Sequence, residues 1–398
     1  MLPIKRVVCG VSGGVDSCIS ALILKRKGFD VIGAFMRNWD SKDESGQCTL
    51  DKDCEDAENI CRRLEIPFHE VNFVKEYWND VFTPLLHDYQ SGLTPNPDIL
   101  CNRHVKFKCF LNYAREKHGA DAIATGHYAQ TSAGPFLEEM IPGKPVKLFK
   151  GNDPIKDQTL FLSQISQDAI RHTMFPVGGM LKKHVKNLAI KTGFKDVAKK
   201  RESTGICFIG KRNFADFMRE YSHPTPGRFI DVDSGEVVGR HDGVQFFTIG
   251  QRALIGGRSG AYYIAHKNSK TNDMFVALNH DNPALFSKTC SVSDMHWISG
   301  SPPPSREMEC DFRFQHANPV VPCKIAVQDN PACVSVTLRH RLYALTLGQY
   351  AVFYNGNECI GSGRITSTAV SEALDEKFKK ISSLTYGFLS TEKNRASV

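Results

Sequence analysis

Residues 12–17 read Ser-Gly-Gly-Val-Asp-Ser and directly follow an apolar run that ends at Val11. The run predicts a buried strand, and the apolar spacing after the glycines predicts a helix. Glycine lets the backbone take positive φ and approach a ligand closely. The first amides of a helix point outward without partners, which favours a phosphate site there. Asp16 suits a Mg²⁺-bridged nucleotide better than a bare anion.

This SGGVDS loop differs from the two common glycine-rich nucleotide loops. No Gly-Lys-Ser/Thr follows it, so it is not a Walker A loop, and the G-x-G-x-x-G spacing of a dinucleotide fingerprint is absent. It resembles the pyrophosphatase loop of ATPases that cleave ATP between the α and β phosphates and adenylate a substrate oxygen. The alternative is a glycine turn that merely joins strand to helix, and six consecutive matching positions argue against it.

A second segment that could do chemistry is residues 94–102, which read TPNPDILCN. We expect its two prolines to hold the chain extended before a helix that begins near Arg103. Cys101 would then lie close to a helix N-terminus, where the dipole and Lys106 favour the thiolate. Asp98 could move a proton for Cys101 or for a substrate. The alternative is a buried structural cysteine in a proline turn.

A third segment, residues 203–210, reads STGICFIG and has lysines and arginines on both sides. Their positive field would favour the thiolate of Cys207. Taken alone, the segment is better explained as a short strand in which Cys207 is one apolar residue.

Positive charge is concentrated in a basic segment from Lys182 to Arg228, which has twelve basic and four acidic residues. Its balance of +8 accounts for the net charge of +7 of the whole chain. Such a segment suits a polyanion, with tRNA as the leading candidate. By itself it would be better explained as a solvated helix face.

Composition limits the class of protein. A chain of 398 residues is long enough for two or three domains with buried cores. It has no apolar run long enough to span a membrane, and the short segment before the first predicted strand leads us to expect no secretory signal. The 13 cysteines include no C-x-x-C pair, so we expect neither a disulfide framework nor a zinc site.

The first 130 residues alternate strand and helix patterns. Strands are predicted at 7–11, 31–36, 68–73 and 122–125, and helices at 16–27, 51–64, 76–90 and 105–118. This alternation predicts an open parallel sheet covered on both faces. Ligands of such α/β sheets bind beyond the carboxyl ends of the strands, where the SGGVDS loop lies.

The rest of the chain changes character. Residues 131–155 have a loop-like composition, and helical spacing returns at 157–171 and 180–192. A proline-rich break at 224–227 precedes a strand-rich region, and alternation with an Asn355-Gly356 hairpin turn predicts a small antiparallel barrel. The predicted divisions are a nucleotide-binding domain (1–216), a central domain expected to bind tRNA (217–287), a barrel (288–368) and a polar tail expected to fray (369–398).

Five motifs together carry a specific resemblance. SGGVDS, TPNPDILCN, the ATGHY of residues 124–128, the KDQ of residues 156–158 and TGICFIG occur in this order. Over residues 5–365 the chain resembles the tRNA-specific 2-thiouridylases, which thiolate the wobble uridine of Lys, Glu and Gln tRNAs. Residues 51–56 and 77–80 are similar to the mitochondrial branch, so the resemblance implies a mitochondrial location.

The resemblance implies roles for individual residues. Asp98 would be an acid or base, Cys207 would carry a persulfide, and Cys101 would be the partner thiol that ends in a disulfide with it. ATP would be bound by Gly10, Val11, Ser12, Gly13, Gly14, Val15, Asp16, Ser17, Met36 and Gly126. The tRNA would be bound by Asn96, Pro97, Asp98, His127, Lys156, Asp157, Gln158, Gln315, His316 and Gln349.

One position departs from the family pattern. Members generally present an arginine followed by an aromatic residue in a barrel strand, whereas this chain has Gln315-His316. Neighbouring Arg313 is a candidate to replace that charged contact.

The implied reaction needs ATP with Mg²⁺, tRNA and an upstream sulfur-donor protein, but no membrane, and a monomer is the simplest expectation. Two other functions are weighed. A related adenylating ligase or amidotransferase acting on a small metabolite would leave both cysteines and the basic segment unexplained. An RNA-binding protein that has lost catalysis would show a damaged loop or a missing thiol, and neither is found.

Overall fold

The computed structural model describes residues 4–39, 49–200, 213–257 and 260–377. Cys207 and residues 378–398 lie outside these ranges. The strands, in chain order, are β1 (Arg6–Gly10), β2 (Asp30–Arg37), β3 (Phe68–Asn72), β4 (Ala122–Ala124), β5 (Ala129–Thr131), β6 (Leu148–Lys150), β7 (Thr173–Met174), β8 (Gly227–Asp231), β9 (Val237–His241), β10 (Arg252–Ala253), β11 (Tyr262–Asn268), β12 (Asp273–Leu278), β13 (Phe286–Trp297), β14 (Glu307–Arg313), β15 (Val321–Val327), β16 (Val334–Tyr343), β17 (Tyr350–Asn355) and β18 (Glu358–Thr368).

The α-helices whose two ends both lie inside the described ranges are α1 (Val15–Arg26), α2 (Thr49–Arg63), α3 (Val74–Tyr77), α4 (Thr83–Gln90), α5 (Pro97–Leu100), α6 (Phe110–His118), α7 (Thr159–Leu162), α8 (Gln167–Arg171), α9 (Lys182–Lys191), α10 (Lys195–Lys199) and α11 (Phe214–Tyr221). π-helical stretches Trp78–Phe82 and Cys101–Cys109 make α3–α4 and α5–α6 continuous. We call residues 97–118 the Cys101 helix.

The N-terminal domain is built on a five-stranded sheet in the order β3-β2-β1-β4-β7. Every neighbouring pair in it is parallel, which confirms the predicted open α/β architecture. The central strand β1 is buried from Val7 to Gly10, so the chain leaves the middle of the core directly into the SGGVDS loop. Strand β7 has two residues, too few to give a periodic pattern in the sequence.

The central domain contains a mixed sheet in the order β10-β11-β12-β8-β9. Apolar clusters cover both of its faces. The third region is a barrel of six antiparallel strands in the order β13-β16-β15-β14-β17-β18, closed by pairing of β13 with β18. The predicted hairpin is confirmed, because Asn355 pairs with Glu358 across the turn.

Three predictions made from local pattern are wrong. Residues 131–155 are not all loop, because β6 pairs with β18 and attaches β5 and β6 to the barrel sheet. The helical spacing of 157–171 is divided between α7 and α8. Residues 369–377 of the expected frayed tail form a helix, and Leu374 packs in a core cluster of the central domain.

The N-terminal domain and the barrel share one core. Tyr350, Val352, Tyr354 and Cys359 belong to the same apolar cluster as the parallel sheet. The barrel therefore packs directly on the domain that carries the SGGVDS loop. The division of the chain at residues 216 and 287 stays a prediction.

Candidate active site

The SGGVDS loop turns sharply between β1 and α1. Gly13 has φ +72°, and a Cβ there would lie 2.7 Å from the carbonyl oxygen of Asp53. Gly14 is the N-cap of α1 and offers no side chain to the first amides of the helix. Ser17 Oγ instead accepts from the Ser12 amide at 3.1 Å. The uncapped helix start leaves its first amides without side-chain partners, as an anion site requires.

Gly126 reaches the loop from the end of β4. A Cβ at this position would lie 2.7 Å from the backbone nitrogen of Ser17, so only glycine permits the contact. At Gly10 an added Cβ would lie 3.2 Å from Met36 Cε. The structure thus brings together Gly10, Met36, Gly126 and the loop at the carboxyl ends of β1, β2 and β4. These are the residues for which the resemblance implies ATP binding.

The carboxylate of Asp16 contacts two side chains from outside the loop, Tyr128 and Lys182. The Tyr128 hydroxyl donates to Asp16 Oδ1 at 2.8 Å, and Lys182 Nζ lies 2.8 and 2.6 Å from the two carboxylate oxygens. Sequence reasoning missed both partners of Asp16. Lys182 stood only as one member of the basic segment, and no local pattern relates it to a residue 166 positions earlier.

A second ion-pair cluster lies where α2 meets the loop. Lys200 Nζ is 2.6 Å from Asp53 Oδ1 and 2.7 Å from Asp56 Oδ2. Both aspartates belong to α2, which touches the loop at Gly13. Lys182 and Lys200, two cations of the basic segment, are therefore engaged in internal ion pairs.

The TPNPDILCN segment begins its helix earlier than the sequence predicts. Asn96 is the N-cap, its Oδ1 accepts from the Ile99 amide at 3.3 Å, and Pro97 is the first helical residue. Proline fits this position because its missing N–H would be unpaired there. The expected start near Arg103 is wrong. Cys101 lies in the second turn and is 4 % exposed, so the helix dipole acts on it less than we expected.

Burial shifts the pKa values of two side chains at this helix, Asp98 within it and His127 beside it. Burial raises the pKa of the Asp98 carboxyl, partly offset by Lys106. Burial and Lys106 hold the pKa of His127 well below its usual value, and its Nδ1 lies 2.8 Å from Thr125 Oγ1. Compared with the free side chains, Asp98 is thus more readily protonated and His127 more readily neutral.

The barrel holds the proline turn in place. Gln349 Nε2 donates to the carbonyl oxygens of Thr94 at 2.9 Å and Pro95 at 3.2 Å. The Thr94 amide donates to the Leu347 carbonyl at 2.9 Å. Gln349, expected at the tRNA, is bonded here to the segment expected to hold the target base.

The KDQ residues face the interior more than expected. Asp157 is 2 % exposed and pairs with Arg313 at 3.2 Å. Gln158 Oε1 accepts from the Tyr128 amide at 3.0 Å, and Lys156 is half-buried. In this conformation the Asp157 side chain has no free surface for tRNA.

At the position that departs from the family pattern, His316 contacts the KDQ motif, and Gln315 is exposed. His316 Nε2 lies 2.8 Å from the Asp157 carbonyl oxygen, and its ring stacks on Phe161. Gln315 is exposed. Arg313 is buried against Asp157 and bonds the backbone of both residues, so the suggestion that it replaces the missing surface cation is wrong for this conformation.

Comparison with known proteins decides the family. Three family models match: the tRNA methyl transferase HUP domain at residues 5–211, the tRNA methyl transferase PRC-barrel domain at 215–278 and the aminomethyltransferase beta-barrel domain at 287–365. The chain is 49 % identical to mitochondrial tRNA-specific 2-thiouridylase 1 of Homo sapiens, over 92 % of this chain and 91 % of that protein. The chain belongs to the tRNA-specific 2-thiouridylase family.

The match extends across animals. The relative of the same name in Drosophila melanogaster is 48 % identical over 92 % of this chain and 94 % of that protein. A crystal structure of a 4-thiouridine synthetase–RNA complex with bound ATP aligns with 54 % of this chain and 49 % of that one, at 14 % identity and a TM-score of 0.31.

Two 2-thiouridylase features predicted from the sequence lie outside the described residues. Cys207 is one, so its separation from Cys101 and the expected disulfide stay predictions. The other is the part of the basic segment that contains Arg201, Lys211 and Arg212. Within the described part of the chain, none of the helices has the length and apolarity that crossing a bilayer requires.

Proposed function

We propose that the chain catalyses ATP-dependent 2-thiolation of the wobble uridine of mitochondrial Lys, Glu and Gln tRNAs. Membership of the 2-thiouridylase family supports a sulfurtransferase acting on tRNA, and the names of the relatives support the mitochondrion. One structural relationship carries the mechanism. Gly126 contacts the SGGVDS loop, and the next residue, His127, has its ring 5.5 Å from that of Phe107 in the Cys101 helix.

The loop fits the phosphates of ATP. Added Cβ atoms at Gly13 and Gly126 would lie 2.7 Å from backbone atoms, so only glycine allows α2 and the end of β4 to pack this closely against the loop, while Gly14 leaves the helix start without a side-chain cap. Asp16 supplies carboxylate oxygens, which Mg²⁺ prefers as ligands. We therefore assign the pyrophosphate moiety to residues 12–17 and the Mg²⁺ to Asp16. Bound ATP would supply the adenylyl group that turns the uracil C2 oxygen into a leaving group.

Residues 94–102 suit the target base. Thr94 Oγ1 and Asn102 Oδ1 are buried and have no hydrogen-bond partner among the described residues. Buried polar atoms without partners are rare, and a base turned out of its stack presents groups that could satisfy them. Asn96 and Pro97 would shape this pocket, and Asp98 would hold or deliver a proton.

Sulfur transfer would use both cysteines. The terminal sulfur of a persulfide on Cys207, loaded by the sulfur-donor protein, bonds to C2 as the C–O bond to AMP breaks. Cys101 Sγ then attacks the inner sulfur, the S–S bond of the persulfide breaks, and its electron pair stays on the sulfur bound to C2. The two cysteines end as a disulfide, which a thiol reductant must reduce before the next cycle.

Chain length permits Cys207 to reach the site. Lys200 is bound to Asp53 and Asp56 beside the loop. Seven further residues span at most about 25 Å, so chain length does not prevent Cys207 from reaching the loop.

The test uses the full chain with ATP, a persulfide donor and an unmodified anticodon stem-loop. Mass spectrometry of the uridine should show replacement of one oxygen by sulfur. C101S and C207S should each abolish the product while retaining ATP binding, and C333S, which removes a half-buried barrel thiol, should thiolate normally. Full thiolation by C101S or C207S would reject the role assigned to that cysteine.

A further inference from the structure

Lys182 occupies an unfavourable place for a cation. It is the first residue of α9, and its backbone amide donates to Asp153 Oδ2 at 2.9 Å. The positive end of a helix dipole opposes a positive side chain in the first turn. The position of Lys182 therefore needs a reason other than the stability of α9.

That reason lies in the SGGVDS loop. Lys182 Nζ lies within hydrogen-bond distance of both oxygens of Asp16, and the two side chains are 12 % and 29 % exposed. The Tyr128 hydroxyl fixes the same carboxylate from a second direction. The ammonium group is thus held at the first turn of α1, where the loop offers its open amides to phosphate.

The ion pair between Lys182 and Asp16 can be replaced by contacts to a bound nucleotide and its divalent cation. A lone carboxylate at Asp16 would repel a triphosphate, and Lys182 cancels that charge. A divalent cation arriving with the nucleotide competes for the same carboxylate oxygens. A lysine ammonium on its flexible four-carbon stem can then turn to a neighbouring anion without movement of the helix.

We propose that Lys182 is a nucleotide-positioning residue whose ammonium group passes from Asp16 to the β and γ phosphates of ATP, leaving Asp16 to hold the divalent cation. This inference rests on the proposed ATP-dependent function. It adds to the site a residue that lies outside the loop, 166 positions further along the chain.

Equilibrium binding of ATP and AMP to the full chain, with Mg²⁺ and without tRNA, tests the proposal. K182Q should weaken ATP binding roughly ten- to hundredfold, as expected for the loss of hydrogen bonds to a charged group. AMP binding should be unchanged, because AMP lacks the β and γ phosphates. K182R should recover part of the loss, and K183Q, which alters the exposed neighbour, should bind ATP like the wild type.

A second measurement uses the wild-type chain and does not depend on the folding of a variant. ATP should lower the rate at which an amine-reactive reagent labels Lys182, relative to Lys183, as read by mass spectrometry. Unchanged ATP affinity in a folded K182Q, or unchanged labelling of Lys182, overturns the inference. Failure of the wild type to bind ATP would instead reject the proposed function.

Discussion

The guanidinium group of Arg313 lies 3.2 Å from the carboxylate of Asp157, and the two side chains are 9 % and 3 % exposed. Arg313 ends strand β14 of the barrel, and Asp157 belongs to the motif KDQ in the N-terminal domain. The Thr159 hydroxyl also donates to Asp157, at 2.9 Å. A buried charge pair thus joins the N-terminal domain to the barrel.

Removing one partner of this pair should destabilise the protein strongly. R313M leaves the Asp157 carboxylate buried without its cation, and we expect a loss of about 3–5 kcal/mol in the free energy of unfolding. Guanidinium denaturation followed by circular dichroism measures it. The control is R306M, which breaks the exposed pair with Asp329 and should cost at most about 1 kcal/mol. Equal losses in the two variants would contradict the buried role of Arg313.

Gly126 should be essential for nucleotide binding. In G126A the new Cβ would meet the Ser17 backbone nitrogen at 2.7 Å, and the loop must shift to relieve the clash. Overpacking of this kind costs about 1–3 kcal/mol, which predicts ATP binding weaker by roughly ten- to hundredfold. Isothermal titration calorimetry checks this. G256A, where an added Cβ meets nothing within 4 Å, should bind ATP normally, and wild-type affinity in G126A would refute the steric argument.

Gln349 should act through the proline turn. Q349M removes both hydrogen bonds to the Thr94 and Pro95 carbonyls and leaves these acceptors unpaired, at a cost of about 1–3 kcal/mol. We expect kcat for thiolation to fall roughly tenfold or more, with ATP affinity unchanged. Single-turnover kinetics on the stem-loop measure this. A rise in KM for RNA with unchanged kcat would favour the direct tRNA contact instead, and Q328M on the exposed barrel surface serves as the control.

The buried carboxylate of Asp98 should lower the stability of the folded protein at neutral pH although it is needed for activity. Burial raises the pKa of its carboxyl above the ordinary 3.8, so the folded state binds this proton more tightly than the unfolded state does. Wild-type stability therefore falls as pH rises through the raised value. D98N has no such titration and should be more stable than the wild type at neutral pH. The difference should vanish in acid, below pH 3.8, and thiolation should be lost.

The pKa of Asp121 is shifted in the opposite direction from that of Asp98, so its effect on stability should have the opposite dependence on pH. The backbone amides of Arg6 and Lys5 hold its pKa below the ordinary value, so its stabilising effect is present at neutral pH and is lost as pH falls through the lowered value. D121N should be less stable than the wild type at neutral pH, with the gap closing in acid. Denaturation midpoints of both variants at several pH values test the two signs together, and a loss of stability in D98N at neutral pH would contradict the account of Asp98.

The start of the Cys101 helix is the feature that local sequence pattern predicts wrongly. The sequence contained the information for the true start, since Asn96 is a good N-cap and proline is accepted at the first helical position. The two prolines instead favour an extended segment, which moves the predicted helix start to the neighbourhood of Arg103. The consequence is chemical, because Cys101 lies in a buried second turn instead of just before the first turn.

Local pattern determined the parallel sheet, the SGGVDS loop at its carboxyl edge and the antiparallel barrel, because burial of one or both faces of an element leaves a periodic trace in the sequence. Tertiary structure alone decided that Lys182 meets Asp16, that Arg313 meets Asp157 and that Gln349 holds the proline turn. These partners are more than 150 positions apart. Such contacts depend on how distant parts of the chain pack together. The periodic pattern of apolar residues predicts helices and strands, but it does not predict which distant polar residue a side chain will contact.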